Sequence, residues 1–187
     1  KFEEDWESFA RQMFLDSGAT TARVAQNVMG GDAAGEINIA CTWDSLDLAM
    51  RAPGDLRKKQ EMVESMQASG VQTLRRSLML IDAERGVHEG EFLSMLVASG
   101  DQIDPATMEA NADAFWAHMQ SGANGIMWCR GLAAGPLNGL YVALTSADSA
   151  DLLMATSATA FADAAIQQRM AGQNTQMVGR AMMRVIG

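Results

Sequence analysis

The strongest constraint on the fold of this chain is an internal repeat. Residues 17–82 align with residues 121–186 without a gap at an offset of 104, and 14 of the 66 aligned positions are identical. Average residue usage would give roughly 4 or 5 identities by chance. A repeating unit of about 100 residues is too long for a solenoid module. The repeat therefore predicts two copies of one small domain.

Both copies share one order of predicted elements. The second copy opens with a strand candidate, Glu91–Ser99, followed by a helix that begins at Asp104 and Pro105, because proline is tolerated in a first turn. A strand pair, a second helical region and a last strand follow, with the strands at Ile126–Ala133, Leu140–Thr145 and Thr175–Ile186. The order β-α-β-β-α-β is that of a ferredoxin-like unit.

The first copy repeats these elements without the opening strand. Its strands are predicted at Ala22–Met29, Glu36–Thr42 and Val71–Ile81. We therefore predict an α+β fold with a ferredoxin-like copy at residues 1–82, a linker at 83–90 and a second copy at 91–187. Since Lys1 aligns with Thr107, we expect about 16 further residues, including the missing strand, upstream of Lys1.

Charge and hydropathy argue against two classes of partner. The net charge of −9 repels phosphate backbones, so we predict no nucleic-acid binding. No run of 18 apolar residues exists, so we predict no membrane-spanning helix.

Cys41 and Cys129 are too few for a disulfide framework, and we predict a cytoplasmic protein. No His, Cys or carboxylate cluster has ligand spacing, so neither a metal nor another cofactor is predicted.

Two short segments resemble a known superfamily. Residues 1–6 (KFEEDW) resemble the start of the first helix in dimeric α/β-barrel proteins of the antibiotic-biosynthesis-monooxygenase-like families, and residues 42–47 (TWDSLD) resemble their entry to the second helix. The resemblance implies that the two copies pack sheet to sheet into an α/β barrel. The activities it implies are diverse: cofactor-free oxygenation of aromatic compounds, haem chemistry, isomerisation, and binding without catalysis.

The best polar candidates are two equivalent arginines, Arg76 and Arg180. Each follows a glutamine by four residues in the predicted last strand, so both side chains of a copy point to one face. An arginine among apolar neighbours needs an acceptor. One interpretation is an anion or carbonyl anchor for a ligand. The other is a structural pair with Glu36 or with a backbone carbonyl, and we expect both arginines to be mostly buried and bonded.

Four more side chains could line a pocket between the sheet and the helices: Asn27, Trp43, Trp128 and Tyr141. The resemblance implies this role, because cofactor-free oxygenases of the superfamily orient a phenolic substrate with Asn, Trp and Tyr. The two copies differ at all four positions. A pocket that is kept in only one copy would explain these differences, but ordinary sequence drift in a core would give the same pattern.

His118 lies on the first helix of the second copy, three residues after Phe115. As a general base or a haem ligand it would have to face the sheet. The alternative is a histidine on the flank of the helix.

Three functions therefore stay open. The first is a small-molecule enzyme of monooxygenase type, acting on an aromatic or carbonyl substrate without a cofactor. The second is a ligand-binding protein without turnover. The third is a structural or assembly protein whose barrel serves oligomerisation. In each case we expect a homo-oligomer.

Overall fold

The computed structural model describes all 187 residues of the chain. Helices and seven strands alternate along it, and every pair of neighbouring strands with an assigned register is antiparallel, so the fold is α+β. The chain divides into two compact units. The first comprises Lys1–Gln26, Glu36–Arg75 and Val185–Gly187, and the second comprises Asn27–Gly35 and Arg76–Arg184.

The first unit has the helix-strand-strand-helix order that the sequence predicts. Its elements are α1 (Phe2–Asp5), a π-helical turn (Trp6–Ala10), α2 (Arg11–Asp16), β1 (Thr21–Met29), β2 (Ile37–Thr42), α3 (Leu46–Leu56) and α4 (Gln60–Ser69). Strand β1 pairs with β2, and the backbone of Val24 in β1 exchanges hydrogen bonds with Ile186 and Gly187 at 3.0 and 2.8 Å. Trp6 and Val24 are buried in the core of this unit.

The second unit contains a complete ferredoxin-like arrangement. Its elements are β3 (Leu78–Gly86), β4 (Phe92–Ser99), α5 (Pro105–Met119), β5 (Gly125–Ala133), β6 (Tyr141–Ala147), α6 (Ala150–Ala162), α7 (Ala164–Gly172) and β7 (Gln176–Val185). The strand order is β7-β4-β6-β5-β3. From β4 onward, the element order β-α-β-β-α-β and the strand order confirm the predicted unit.

Helices α5 and α6 pack on one face of the second unit's sheet. One face of α5 is apolar, because Met108, Ala112 and Met119 are buried. Met119 packs with Leu153 of α6 and with Met182 of β7. The opposite face carries a separate apolar cluster, so the sheet is apolar on both faces, as expected for strands with near-continuous apolar runs.

Serine side chains cap the first turns of α3 and α6. The hydroxyl of Ser45 accepts a hydrogen bond from the backbone N–H of Leu48, and that of Ser149 accepts one from Leu152. Each hydroxyl satisfies an N–H group that has no partner within its helix. None of the helices combines the length and hydrophobicity that a bilayer span requires.

The last strand of the first copy was predicted wrongly. Residues 71–77 form no strand; β3 begins at Leu78 and runs to Gly86, so residues 83–86 belong to a strand and not to a linker. The polar residues that indicated a linker are paired: Asp82 accepts from Arg130 at 3.0 Å, and Arg85 donates to Asp113 at 2.8 Å. An edge strand tolerates such charged side chains. The boundaries of the duplicated domains stay a prediction.

Candidate functional site

Arg180 projects from β7 toward helix α6. Its strand position pairs with Leu96 of β4, and its side chain is half-buried on the face that α6 covers. Nη2 donates to the hydroxyl of Ser157 at 2.8 Å, and Nη1 lies 3.0 Å from the sulfur of Met154. The guanidinium carbon lies 6.0 Å from the centroid of the Phe161 ring, within reach of a cation–π interaction.

No carboxylate lies within salt-bridge distance of this guanidinium; its contacts are all neutral. Burial lowers the pKa of Arg180, and no acidic group offsets that effect. Two other arginines show the usual situation, since carboxylates raise the pKa of Arg75 and of Arg85. Arg180 is therefore a desolvated cation without a counter-ion, which is the electrostatic condition of an anion or carbonyl anchor.

A cleft of about 480 Å³ opens beside Arg180, and its walls come from β4, β7, α6 and α7. Its lining is mostly apolar, with Arg180 as its charged group: Leu96, Phe161, Gln167, Met170, Ala171, Thr175, Met177 and Arg180. Ligand sites in proteins have this size and this mixture of apolar walls and few polar groups.

A small chamber adjoins the cleft, and the two spaces share Leu96, Phe161 and Arg180. Residues of β4, β5, β6, β7, α5 and α6 line the chamber. Its remaining lining residues are Ser94, Phe115, Met119, Ile126, Ala143, Thr145, Leu153 and Ser157.

Aromatic rings connect the predicted residue Trp128 to this region. The Phe115 ring lies 5.3 Å from the Phe161 ring and 6.3 Å from the Trp128 ring, measured between centroids. Trp128 and Tyr141 both pack against the buried cluster of Ala83, Met108 and Ala112, and the Tyr141 hydroxyl donates to the carbonyl of Asp101 at 3.0 Å. These two predicted residues lie together, next to the chamber but not in its lining.

Asn27 stabilises the turn after β1. Its side-chain Nδ2 donates to the carbonyl of Ala33 at 3.1 Å, and its Oδ1 is buried without a partner. The equivalent position in the second copy is Gly131, where a Cβ would collide with the carbonyl of Leu137. Turn geometry therefore explains why the copies differ here, and the structure does not place Asn27 in the cleft.

Trp43 follows β2 in the first unit. Its indole nitrogen is buried without an acceptor. It is not among the residues that line the cleft or the chamber.

His118 lies on the flank of α5. Its Nε2 is 3.9 Å from a carboxylate oxygen of Asp163, which also caps helix α7 by accepting from Ala165 and Ile166. The histidine does not line the chamber, so it does not occupy the position that a general base or a haem ligand would need.

Arg76 does not resemble Arg180 in its surroundings. It is exposed and lies outside any strand, so the prediction that it is buried and bonded was wrong. The predicted acceptor Glu36 pairs with the neighbouring Arg75, whose Nη1 donates to it at 3.1 Å. The repeat places the two arginines at equivalent positions, but the late start of β3 leaves Arg76 in a segment without regular structure.

Sequence reasoning missed the partners of Arg180. Ser157 and Phe161 lie four residues apart on α6, so both face the sheet. The sequence offered two signals. Ser157 interrupts the apolar run of α6, and Ser94 interrupts the apolar strand β4. Only the strand register shows that Ser94 lies opposite Thr145.

The thiols of Cys41 and Cys129 are unreactive at neutral pH. Burial raises the pKa of both thiols to about 12, so they are protonated at neutral pH. No group of three or more His, Cys, Asp and Glu side chains is placed to hold a metal ion.

No family profile matches the chain, and no curated protein matches it. Several solved structures match the chain. A candidate monooxygenase from Lactobacillus acidophilus NCFM superposes with a TM-score of 0.51 at 12% identity, covering 98% of this chain and 83% of that one. A candidate monooxygenase from Fusobacterium nucleatum gives 0.52 at 8% identity, covering 98% and 87%. A candidate chlorite dismutase gives 0.55 at 8% identity, covering 100% and 84%.

Identities this low show similarity of fold alone. The matches extend over nearly the whole chain, and they agree with the ferredoxin-like order of the second unit. The chain therefore has the fold of the dimeric α/β-barrel proteins, the antibiotic-biosynthesis-monooxygenase-like fold.

Proposed function

We propose that the second unit binds a small molecule with an apolar, aromatic body and an anionic or carbonyl oxygen, in the cleft beside Arg180. The observation that carries this proposal is the half-buried guanidinium of Arg180, which has only neutral partners. A ligand oxyanion would supply the missing counter-charge in a partly desolvated site, where charge interactions are stronger than in water.

The shape of the cleft supports an apolar ligand body. Phe161 offers a ring face, and Met170 and Met177 offer flexible thioethers that adapt to flat ligands. The Phe161 ring already packs at a tilt of 53° against the Phe115 ring, so its orientation is restricted before a ligand binds. Preorganised walls reduce the entropy that binding must offset.

Calorimetry with three matched nitroaromatic probes tests this proposal. We expect 4-nitrobenzoate and 4-nitrophenolate to bind and the neutral 4-nitroanisole to bind at least tenfold more weakly. Arg180→Met should abolish that preference, whereas Arg184→Met, at an exposed position of the same strand, should keep it. Equal binding of all three probes, or a preference that survives Arg180→Met, would contradict the proposal.

Catalysis is the extension of this function that the fold suggests. The cleft and the chamber contain no His, Asp, Glu, Lys or Tyr in their lining, so a reaction here would depend on Arg180 to stabilise a substrate enolate or phenolate. Oxidation of a CH₂ group next to such an oxyanion to a carbonyl consumes dioxygen and releases water, without an external reductant.

An oxygen electrode distinguishes a monooxygenase-type enzyme from a binding protein. The probe is 2-tetralone, an aromatic ketone that forms an enolate readily. Uptake of dioxygen that the wild type accelerates and Arg180→Met does not would support turnover. Binding of 2-tetralone without faster uptake would support ligand binding alone.

Self-assembly is a second candidate function, and edge strand β2 favours it. Ile37 and Ile39 in β2 are 40% and 43% exposed, although isoleucine is among the residues most often buried. Native mass spectrometry gives the mass of the assembly, which is compared with the chain mass of 20.0 kDa. We expect a multiple of that mass, and its loss in Ile39→Lys; a monomer would contradict assembly.

A further inference from the structure

The chamber beside Arg180 is lined by two hydroxyl groups that bond to no other protein group. Ser94 on β4 is 4% exposed, Thr145 on β6 is 5% exposed, and both line the chamber. They lie directly opposite each other in the β4–β6 pairing, so the two hydroxyls are neighbours in the chamber wall. A buried hydroxyl without a partner costs free energy, which an acceptor in the chamber would recover.

A third hydroxyl, that of Ser157 on α6, also lines the chamber and is 4% exposed. Its oxygen accepts a hydrogen bond from Nη2 of Arg180 at 2.8 Å. A hydroxyl carries one donor hydrogen beside its acceptor lone pairs, so the hydrogen of Ser157 is still free to be donated. Three buried hydroxyls can therefore donate to one atom in this space.

The charge at the chamber is positive. Arg180 lines it, and the contacts of the guanidinium are a hydroxyl, a thioether sulfur and an aromatic ring. The chamber lining contains no Asp or Glu side chain. A half-buried cation beside convergent hydroxyl donors favours a negatively charged occupant over a neutral one.

The size of the chamber limits its occupant to a single atom. The free space is about 10 Å³, which is room for about one water-sized particle. Apolar side chains close the other sides, since Met119, Ile126 and Leu153 are each at most 2% exposed. Carboxylate, phosphate and sulfate groups carry several oxygens around a central atom and need more room, whereas a chloride ion is only slightly wider than a water molecule.

We propose that the chamber is a binding site for a monatomic anion, with chloride as the ion that it takes from salt solution. Ser94, Thr145 and Ser157 donate hydrogen bonds to the ion, and the guanidinium of Arg180 supplies the counter-charge. The ion occupies the chamber alone, so no group extends past Phe161 into the cleft. This site goes beyond the proposed ligand cleft, because its ligand is an inorganic ion.

The chloride site and the ligand cleft share one charge, because Arg180 lines both spaces. A chloride ion in the chamber neutralises the guanidinium and so weakens the binding of an anionic ligand in the cleft. The ligand weakens chloride binding by the same factor, since coupling between two sites is reciprocal. Chloride therefore regulates anion binding in the cleft, in addition to the general screening that any salt causes.

Thermal melts of the full chain in sodium chloride and in sodium gluconate, at equal ionic strength, test the chloride site. Gluconate is too large for the chamber, and equal ionic strength keeps the screening of surface charges the same. An ion that binds only the folded chain raises the Tm, and the rise grows with its concentration. Salts also act on Tm without a specific site, so the quantity compared is the chloride-minus-gluconate difference in excess of that in Arg180→Met.

We expect the wild type to show a positive excess that grows with chloride concentration. The double variant Ser94→Ala, Thr145→Val keeps the charge of Arg180 but removes two donors, and it should lose at least half of this excess. Thr159→Val is the matched control, because this exposed hydroxyl of α6 bonds to the carbonyl of Ala155. It should keep the full excess. Melts in gluconate alone report any effect of the substitutions on the fold.

Calorimetry with 4-nitrobenzoate gives a second measurement, on the wild type. Replacing gluconate by chloride at constant ionic strength should weaken its binding by about fivefold, the lower end of typical coupling between two sites. The neutral probe 4-nitroanisole should bind equally in both salts. In the double variant the effect of chloride on 4-nitrobenzoate should be smaller.

The outcomes separate the chloride site from the ligand cleft. A wild type without the excess, an excess that survives the double variant, or equal binding of 4-nitrobenzoate in both salts would overturn the chloride site. If 4-nitrobenzoate binding still depends on Arg180, the ligand cleft stands. If chloride acts through Ser94 and Thr145 but no nitroaromatic probe binds, the chloride site stands and the ligand cleft falls.

Discussion

Arg180 on strand β7 donates a hydrogen bond to Ser157 on helix α6 at 2.8 Å, and this neutral hydroxyl stands where a carboxylate would be expected. A structural arginine in a protein interior normally meets an acid, as Arg85 does with Glu109 and Asp113. The different environment of Arg180 is the reason for assigning it to a ligand.

Arg180→Met should change the stability of the protein little. The variant loses a hydrogen bond to a neutral oxygen, and it also removes a partly desolvated charge that has no counter-ion. We expect the free energy of unfolding, measured by urea denaturation, to change by less than about 1 kcal/mol. A loss of several kcal/mol would mean that Arg180 holds the fold together and is not reserved for a ligand.

Glu36→Gln should make stability less dependent on pH. Arg75 lowers the pKa of Glu36 below its ordinary value of 4.5, so the folded-state pKa lies below the unfolded one. The pair therefore stabilises the fold above pH 4.5, and this contribution is lost as the pH falls through the lowered pKa.

Melting temperatures measured from neutral pH to below pH 4.5 test the contribution of the Glu36–Arg75 pair. The variant should melt below the wild type at neutral pH, and the two should converge in acid, where Glu36 is protonated in both states. A difference that stays constant with pH would show that the ion pair contributes nothing.

The repeat predicted most of the element order but misplaced one strand. The polar residues Glu84 and Arg85 favoured a linker, and only the pairing of β3 with β5 shows that they lie on an edge strand. The same displacement explains why Arg76 and Arg180, equivalent in sequence, differ in structure. A strand register is set by long-range pairing, which a local pattern does not contain.

The sequence predicted only part of the candidate site. Arg180 stood out because an arginine recurs among apolar residues. Ser94 and Thr145 did not, since hydroxyl residues in strands are common and their convergence depends on the β4–β6 register. Trp128 and Tyr141, predicted as pocket residues, pack against a buried cluster that includes Met108 and Ala112 of α5, and neither lines the cleft.

Gly131→Ala should destabilise the second unit. A methyl group at this position would meet the carbonyl of Leu137 in the turn between β5 and β6. We expect a loss of about 1–3 kcal/mol in the free energy of unfolding, because the turn backbone must move. Gly172→Ala, where the added methyl has open space, is the control and should be nearly neutral. Tolerance of Gly131→Ala would refute the turn-based explanation for the difference from Asn27.

Both thiols should react slowly in the native protein. Burial raises the pKa of Cys41 and of Cys129 to about 12, so the thiolate population at pH 8 is very small. Titration with a chromogenic disulfide should show little reaction before denaturant is added and two thiols per chain afterwards. Fast labelling of the native protein would contradict the burial of these side chains.

Methyl NMR of the methionines tests the ligand cleft most directly. The chain has 15 methionines, of which Met170 and Met177 line the cleft, while Met95 and Met127 lie on the opposite face of the same sheet. On titration with 4-nitrophenolate we predict saturable shifts of the Met170 and Met177 methyl signals, unchanged signals from Met95 and Met127, and no saturable shift in Arg180→Met. Shifts confined to Met95 and Met127, or cleft shifts that persist without Arg180, would contradict the account.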